Sequence, residues 1–414
     1  EDPSAAKSEK IFGCPEHLEE SYIAARDSII LLKNDIVGTA PALPICGSRP
    51  VATNEAKQAA DDATRVDFTG RKVNTIAVIG PNADSVRAQF GDWTFFTHPL
   101  PNLDAVPTFH VTTMLEGIST EAKNNGIKVL NDKGCDIFDA KNHSIPKALK
   151  IAEEADIVFL AVGDTLSQTG EGKDRSNLAL SGAQNELAEA LATVCRKKSI
   201  PLVSILVNGK PLEFDRVAQV SDAILETFNS GTLGGRATAD IIFGKAEPKG
   251  RLPISFPRTT GQLPVYYNQL PGWHDGKYYD CDASPLFSFG EGLSYTAFKY
   301  NSITLSKETI KEGETINVQV SLTNIGQRTG TETVQLYITD CIASVVRPVR
   351  ELKNFAQIVL LPGETGSVTL QLKAEDLALI DEKGKTILEP GEFLVQCGHD
   401  SREISLIHKT LTLM

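Results

Sequence analysis

Five short segments of this chain read as strands with no polar face: TIAVIG (75–80), IKVLN (127–131), DIVFLAV (156–162), PLVSILV (201–207) and DAILETF (222–228). A strand that is apolar throughout must be covered on both sides. The segments that separate or follow them, 111–123, 145–155, 182–195 and 233–244, repeat apolar residues at helical spacing. Strands alternating with helices in this way predict an α/β sandwich, with a mainly parallel sheet and helices on both faces. Ahead of it, PEHLEESYIAARDS (15–28) reads as a helix opened by Pro15, and IILL (29–32) as a short buried strand. Residues 35–72, rich in Ala, Pro, Thr and Gly, read as a long loop.

The pattern changes after Pro264. Residues 265–297 are aromatic and Gly/Pro-rich without a clear period, which predicts a packed linker. From Phe298 the helices stop, and INVQVSLTNIG, ETVQLYITD, KNFAQIVLLPGE, GSVTLQLK and GEFLVQCG alternate apolar with polar residues. That alternation, punctuated by Gly, Asn and Pro, predicts an all-β sandwich of the immunoglobulin/fibronectin III kind. The expected organisation is a linker and leading helix at 1–74, an α/β domain at 75–264, an aromatic linker at 265–297 and a β-sandwich at 298–414.

Charge narrows the partners. The 414 residues carry 53 acids against 41 bases, a net charge of -12. Nucleic acid and anionic membrane both need a basic footprint, so neither is expected as a partner, whereas a neutral ligand such as a sugar fits. The longest apolar runs are far shorter than a membrane span. Seven widely spread cysteines, with no CxxC, predict scattered reduced thiols, although one bridge between loops stays open. No histidine pair has metal-ligand spacing and no GxSxG elbow occurs, so neither a metal, a cofactor nor a Ser/His/Asp triad is expected. The first ten residues are polar and do not form a signal peptide. Because the chain does not begin with Met, processing or truncation is an open reading, as are cytoplasmic, periplasmic and secreted locations.

In open α/β sheets, ligands bind outside the carboxyl ends of the strands. GPNAD (80–84), GDTLSQTGEGKDR (163–175), NGKPLEF (208–214) and NSGTLGG (229–235) occupy such places, and the second is the longest and most charged. A phosphate loop there fails on two counts: Asp174 follows Gly172-Lys173 where Ser or Thr is required, and Ser167 stands where the first glycine belongs. A carboxylate site fits better. Glu171 lies between two glycines, whose freedom lets the backbone present it outward, with Lys173, Asp174 and Arg175 close in sequence. Composition alone does not separate this from a solvated loop without a role. Trp93, Phe95 and Phe96, in GDWTFF, are candidate platforms for the apolar face of a sugar ring, or simply packing residues.

SIILLKND, IAVIGPNAD, GEGKDRSNLALSGAQNEL, ADIIFGKAEPKGRLPISFPRTTGQLP and PLFSFGEGLSY together resemble glycoside hydrolase family 3, the β-glucosidase and β-xylosidase group. ETVQLYITD, VVRPVRELKNF and LLPGE resemble its terminal fibronectin type III-like domain. The resemblance implies a retaining, exo-acting β-glycoside hydrolase, first a β-glucosidase acting on β-glucosides or oligosaccharides. A β-xylosidase and a non-catalytic carbohydrate-binding module are the alternatives. It implies that Glu171 is the acid/base, that Asp174 and Arg175 support its loop, and that Trp93 lies near the substrate entrance. The family's nucleophilic Asp sits on a preceding TIM-like barrel. EDPSAAK is similar to the linker that follows that barrel, so the barrel is expected as a partner domain beyond this chain, with the loop solvated in its absence. A homodimer stays open. Phe228 where the family commonly has Trp, Leu233 where it usually has Glu, and Ser181 where it usually has Pro are departures that bear on substrate.

Overall fold

The structure, a computed structural model, describes residues 11, 13–45, 72–92, 94, 110–141, 143–272 and 276–414. The chain divides into two compact units, Glu1–Gly250 and Arg251–Met414.

The first unit is a doubly wound sheet. Its strands are β1 (Ile30–Asn34), β2 (Thr75–Ile79), β3 (Lys128–Asp132), β4 (Ile157–Gly163), β5 (Leu202–Val207) and β6 (Ala223–Glu226). Their order across the sheet is β1-β6-β5-β4-β2-β3. Five are parallel, and β1 joins the edge antiparallel to β6 with a bulge between Leu31 and Lys33. The fully apolar sequences of β4 and β5 are explained by their positions, since every residue of both is buried.

The helices are α1 (Pro15–Ser28), α2 (Met114–Asn124), α3 (Ile145–Glu154), α4 (Gln184–Lys198), α5 (Asp215–Val220) and α6 (Gly234–Ile242). They pack as two groups, α1 with α6 and α2, and α3 with α4 and α5. Two groups on opposite faces follow from the topology. The β2–β3 crossover runs one way along the sheet and the later crossovers run the other, and right-handed connections then place their helices on opposite sides. Pro15 sits in the first turn of α1, where its missing N–H costs nothing. The helix buries Tyr22, whose hydroxyl donates to Asp240 Oδ2 at 2.6 Å. Among the described residues, no helix is long and apolar enough to cross a membrane.

The second unit is a two-sheet sandwich. Its strands are β7 (Phe298–Leu305), β8 (Thr315–Asn324), β9 (Gly330–Asp340), β10 (Glu351–Leu360), β11 (Thr365–Lys373), β12 (Gly391–Gly398) and β13 (Leu406–Leu413). One sheet runs from the short strand Thr309–Ile310 through β13, β12 and β9 to β10, and the other is β11-β8-β7. Strict alternation along β8 sends Ile316, Val318, Val320 and Leu322 inward, to meet Val334, Leu336, Phe393 and Val395. Residues 251–297 belong to this unit. Tyr267 stacks on Phe289 with ring centroids 4.2 Å apart, and Gln335 Nε2 donates to Gly290 O at 3.2 Å. Arg251 and Glu332 form a buried salt bridge of 3.0 Å, to which Tyr300 adds a hydroxyl at 2.9 Å.

Candidate active site

The strand order of the first unit reverses between β2 and β4: the chain leaves β2 toward β3 and returns to lay β4 on the other side. Loops diverge there, and their carboxyl-end crevice is where ligands collect in such sheets. The two loops bordering it are 80–92, after β2, and 164–182, after β4. The Glu171 loop is thus placed by topology at the binding crevice.

A row of polar groups forms the floor. Asp164, immediately after β4, is 1% exposed and accepts from Thr169 Oγ1 at 2.6 Å and from the Gly209 amide at 3.1 Å. Burial pushes its carboxyl above the ordinary value, against the opposing effect of those hydrogen bonds and of the Lys210 and Arg175 charges. Asn82 ties the end of β4 to that of β5, donating to Asp164 O at 2.9 Å and Val207 O at 3.1 Å. Gln184, at the start of α4, clamps the last residue of β4 from both sides. Its Oε1 accepts from Gly163 N at 2.8 Å and its Nε2 donates to Gly163 O at 3.0 Å.

Glu226 closes the floor at the end of β6. It is 0% exposed, and burial raises its carboxyl to about 8 despite the Phe228 amide, which donates to Oε1 at 2.7 Å. Its Oε2 and the Oδ1 of Asn208, whose side chain borders the carboxyl, are both without a partner among the described residues. The Asn208 side chain and the Phe228 and Thr227 amides favour the charged form, and burial outweighs them. Phe228 itself takes a left-handed backbone, φ 47°, to deliver that amide.

Above this floor the loop is held on three sides. Lys210 Nζ donates to Gln168 O at 2.8 Å, and Gln168 Nε2 to Ser181 Oγ at 2.7 Å, so the unusual serine is used as an anchor. Lys173 Nζ donates to Thr169 O at 3.2 Å and to Asp92 Oδ1 at 3.3 Å. Asp92 Oδ2 accepts from the backbone amide of Glu171 at 2.8 Å. Gly170, φ 122°, passes so close to Asp92 that a Cβ there would lie 2.4 Å from the carboxylate. This glycine therefore permits an approach as well as a bend, and the backbone around Glu171 is fixed rather than freely hinged.

Glu171 itself is exposed, and its carboxylate has no hydrogen-bond partner among the described residues. Asp174 is exposed too, while Arg175 ties the loop to itself, donating to Ala179 O at 2.7 Å. The structure brings Glu171 together with Lys173 and Asp92, not with Asp174 or Arg175. Trp93 lies outside the described residues, as do Phe95 and Phe96. The spacing of Asp92, Asn82, Asp164, Asn208 and Glu226 gave no motif. Asn82, Asp164, Asn208 and Glu226 share one signal, a polar residue at or just beyond the carboxyl end of an apolar strand, whereas Asp92 lies far along the loop after β2 and carries none.

Residues 68–295 match the glycosyl hydrolase family 3 C-terminal domain, and residues 332–401 a fibronectin type III-like domain. A β-xylosidase of Formosa agariphila is 36% identical over 404 residues, covering 97% of this chain and 51% of the relative. A periplasmic β-glucosidase of Salmonella typhimurium is 34% identical over 418 residues, covering 94% and 49%. The solved structure of a β-glucosidase involved in saponin metabolism from intestinal bacteria superposes with a TM-score of 0.86 at 33% identity, covering all of this chain and 57% of that one. The chain spans about half the length of the curated relatives it matches.

Proposed function

Because the chain belongs to glycosyl hydrolase family 3, we propose that it forms the acid/base half of a retaining, exo-acting β-glycoside hydrolase. Terminal β-linked glucose is the first substrate and β-linked xylose the alternative, since relatives of both names align along nearly the whole chain. The reading is carried by one observation: an exposed glutamate whose backbone is fixed by hydrogen bonds at the switch point of the sheet.

Glu171 gives its proton to the glycosidic oxygen as an Asp carboxylate attacks the anomeric carbon. The carbon–oxygen bond breaks, the aglycone leaves as an alcohol, and a glycosyl ester remains on the Asp. Glu171, now a carboxylate, takes a proton from water as that water attacks the same carbon, and the sugar leaves with its configuration retained. The second carboxylate must approach from outside the loop. Asp164 is buried, and Asp92 is engaged by the Glu171 amide and Lys173. The family resemblance implies that the nucleophile sits on a barrel domain that partners this chain, about 5–5.5 Å from Glu171 as retention requires.

The test uses the complete enzyme, barrel included, carrying Glu171→Ala. With an aryl β-glucoside and sodium azide, azide replaces water in attacking the glycosyl-enzyme, and β-glucosyl azide is the expected product. Formation of the α-azide, or turnover by water as fast as in the wild type, would overturn the assignment. The same enzyme assayed on phenyl β-glucoside and β-xyloside orders the two substrates by kcat/KM.

A further inference from the structure

We propose that Asp92 is the positioning residue for the acid/base: it sets where the Glu171 backbone stands, and thereby where its carboxyl group reaches. This rests on the reading of Glu171 given above. Asp92 lies on the β2 side of the crevice and Glu171 on the β4 side, 79 residues apart, so the contact is made only by the folded sheet. Both oxygens of Asp92 are used toward the loop. Oδ2 accepts the Glu171 amide at 2.8 Å, and Oδ1 receives Lys173 Nζ at 3.3 Å. Lys173 continues the link to Thr169 O at 3.2 Å, and Thr169 reaches down to Asp164 at 2.6 Å. A continuous chain of hydrogen bonds therefore runs from the floor of the sheet to the amide of the acid/base.

The fit around Asp92 is close. The Asp92 side chain is half-buried, and Gly170 passes over it with no room for a side chain. The loop cannot slide toward the β2 side without collision, nor away from it without breaking the Glu171 hydrogen bond. A carboxylate suits the place better than an amide, because a charged acceptor makes stronger bonds to N–H donors and pairs with the Lys173 ammonium. The role requires no contact between these groups and the reacting atoms. Their effect passes through Glu171, and a misplacement of about 1 Å at a reacting group costs up to roughly a hundredfold in rate.

The test measures kcat/KM in the complete enzyme for two aryl β-glucosides. The phenyl glucoside has a poor leaving group that needs protonation, and the dinitrophenyl glucoside has a leaving group that departs almost unaided. Asp92→Ala is expected to lower kcat/KM for phenyl glucoside by about tenfold to a hundredfold, and to change that for dinitrophenyl glucoside less than about threefold. Asp92→Asn keeps an oxygen acceptor for the Glu171 amide and is expected to recover most of the phenyl activity. In the Glu171→Ala background, Asp92→Ala should add nothing. An equal loss on both substrates would show Asp92 to be merely structural, and no loss on either, or a further loss on top of Glu171→Ala, would overturn the proposal as well. Glu171→Ala alone separates the two levels. If it shows no dependence on leaving group, the acid/base assignment fails; if it does and Asp92→Ala does not, only the positioning role fails.

Discussion

Each unit holds a cluster of buried carboxyl groups, and the two clusters are treated in opposite ways. In the sandwich unit, Glu332 meets Arg251 at 3.0 Å. Asp400 meets Arg402 at 2.6 Å and His399 at 3.1 Å. Burial alone would raise Asp400, but the hydrogen bonds from His399 and Arg402 hold it well below the usual carboxylate range. In the α/β unit, Asp164 and Glu226 are held by a hydroxyl, backbone amides and the Asn208 side chain, and burial raises both. A paired buried charge belongs to a scaffold. Raised carboxyls clustered under a loop in a crevice mark a candidate site, whereas Glu291 in the sandwich unit, also raised by burial, is paired with Arg402 at 3.0 Å.

The comparison is open to attack at each end. The largest expected effect is on catalysis: Glu171→Ala in the complete enzyme should cost about 10²–10⁴-fold in kcat/KM on a poorly activated glucoside. Because Glu171 is exposed, the same change should move stability by no more than about 0.5 kcal/mol in urea denaturation. A large stability loss would put Glu171 among the scaffold residues. In the sandwich unit the expectation reverses. Glu332→Ala leaves Arg251, 7% exposed, without its carboxylate and should cost about 3–5 kcal/mol, read by urea denaturation. The ratio of kcat/KM between phenyl and dinitrophenyl glucosides should stay unchanged.

The third effect is gradual and depends on pH. Glu226 goes from an ordinary 4.5 to about 8 on folding. Between those values the folded chain keeps a proton that the unfolded chain has lost, so the contribution of Glu226 is fully present below 4.5 and is lost as pH rises to about 8. The slope is about 1.4 kcal/mol per pH unit at its steepest. Glu226→Gln retains a donor without a titrating proton and should flatten that slope in chemical denaturation between mildly acidic and mildly alkaline pH. An unchanged slope would remove Glu226 as its source.

Much of the fold was legible because burial on both faces leaves a strand no choice of residue. The apolar runs at 75–80, 156–162 and 201–207 correspond to β2, β4 and β5 within a residue at each end. Some elements with a weaker pattern were not read. The helix α5 is six residues long, too short to show a period. A bulge interrupts β7, where Ser302 pairs with Ser321 but Tyr300 with Leu322. Asn301 is then the extra residue, and the alternation shifts from Phe298 and Tyr300 to Ile303 and Leu305. In β13, His408, Lys409 and Thr410 are consecutively exposed and mask the apolar positions around them. The antiparallel direction of β1 depends on its pairing with β6, almost 200 residues away, which no local pattern encodes.

The candidate site divides the same way. Glu171 stood out by its flanking glycines, and resemblance gave it a role. Its support did not. Asp174 is exposed and Arg175 ties back to Ala179 O within the loop, while Asp92, Asp164 and Glu226 converge through the parallel register of β2, β4, β5 and β6. Proximity along the chain was a poor guide to proximity in the crevice, because each strand delivers its carboxyl end to the same edge from a distant part of the sequence.

The central claim is that Glu171 donates the proton to the leaving group. It is tested most directly by the slope of log kcat/KM against leaving-group pKa for a series of aryl β-glucosides, measured with wild-type and Glu171→Ala forms of the complete enzyme. The account predicts a shallow slope for the wild type and a steeply negative one for the variant, with the two lines converging at the most activated leaving groups. Parallel lines, offset equally at every leaving group, would contradict it.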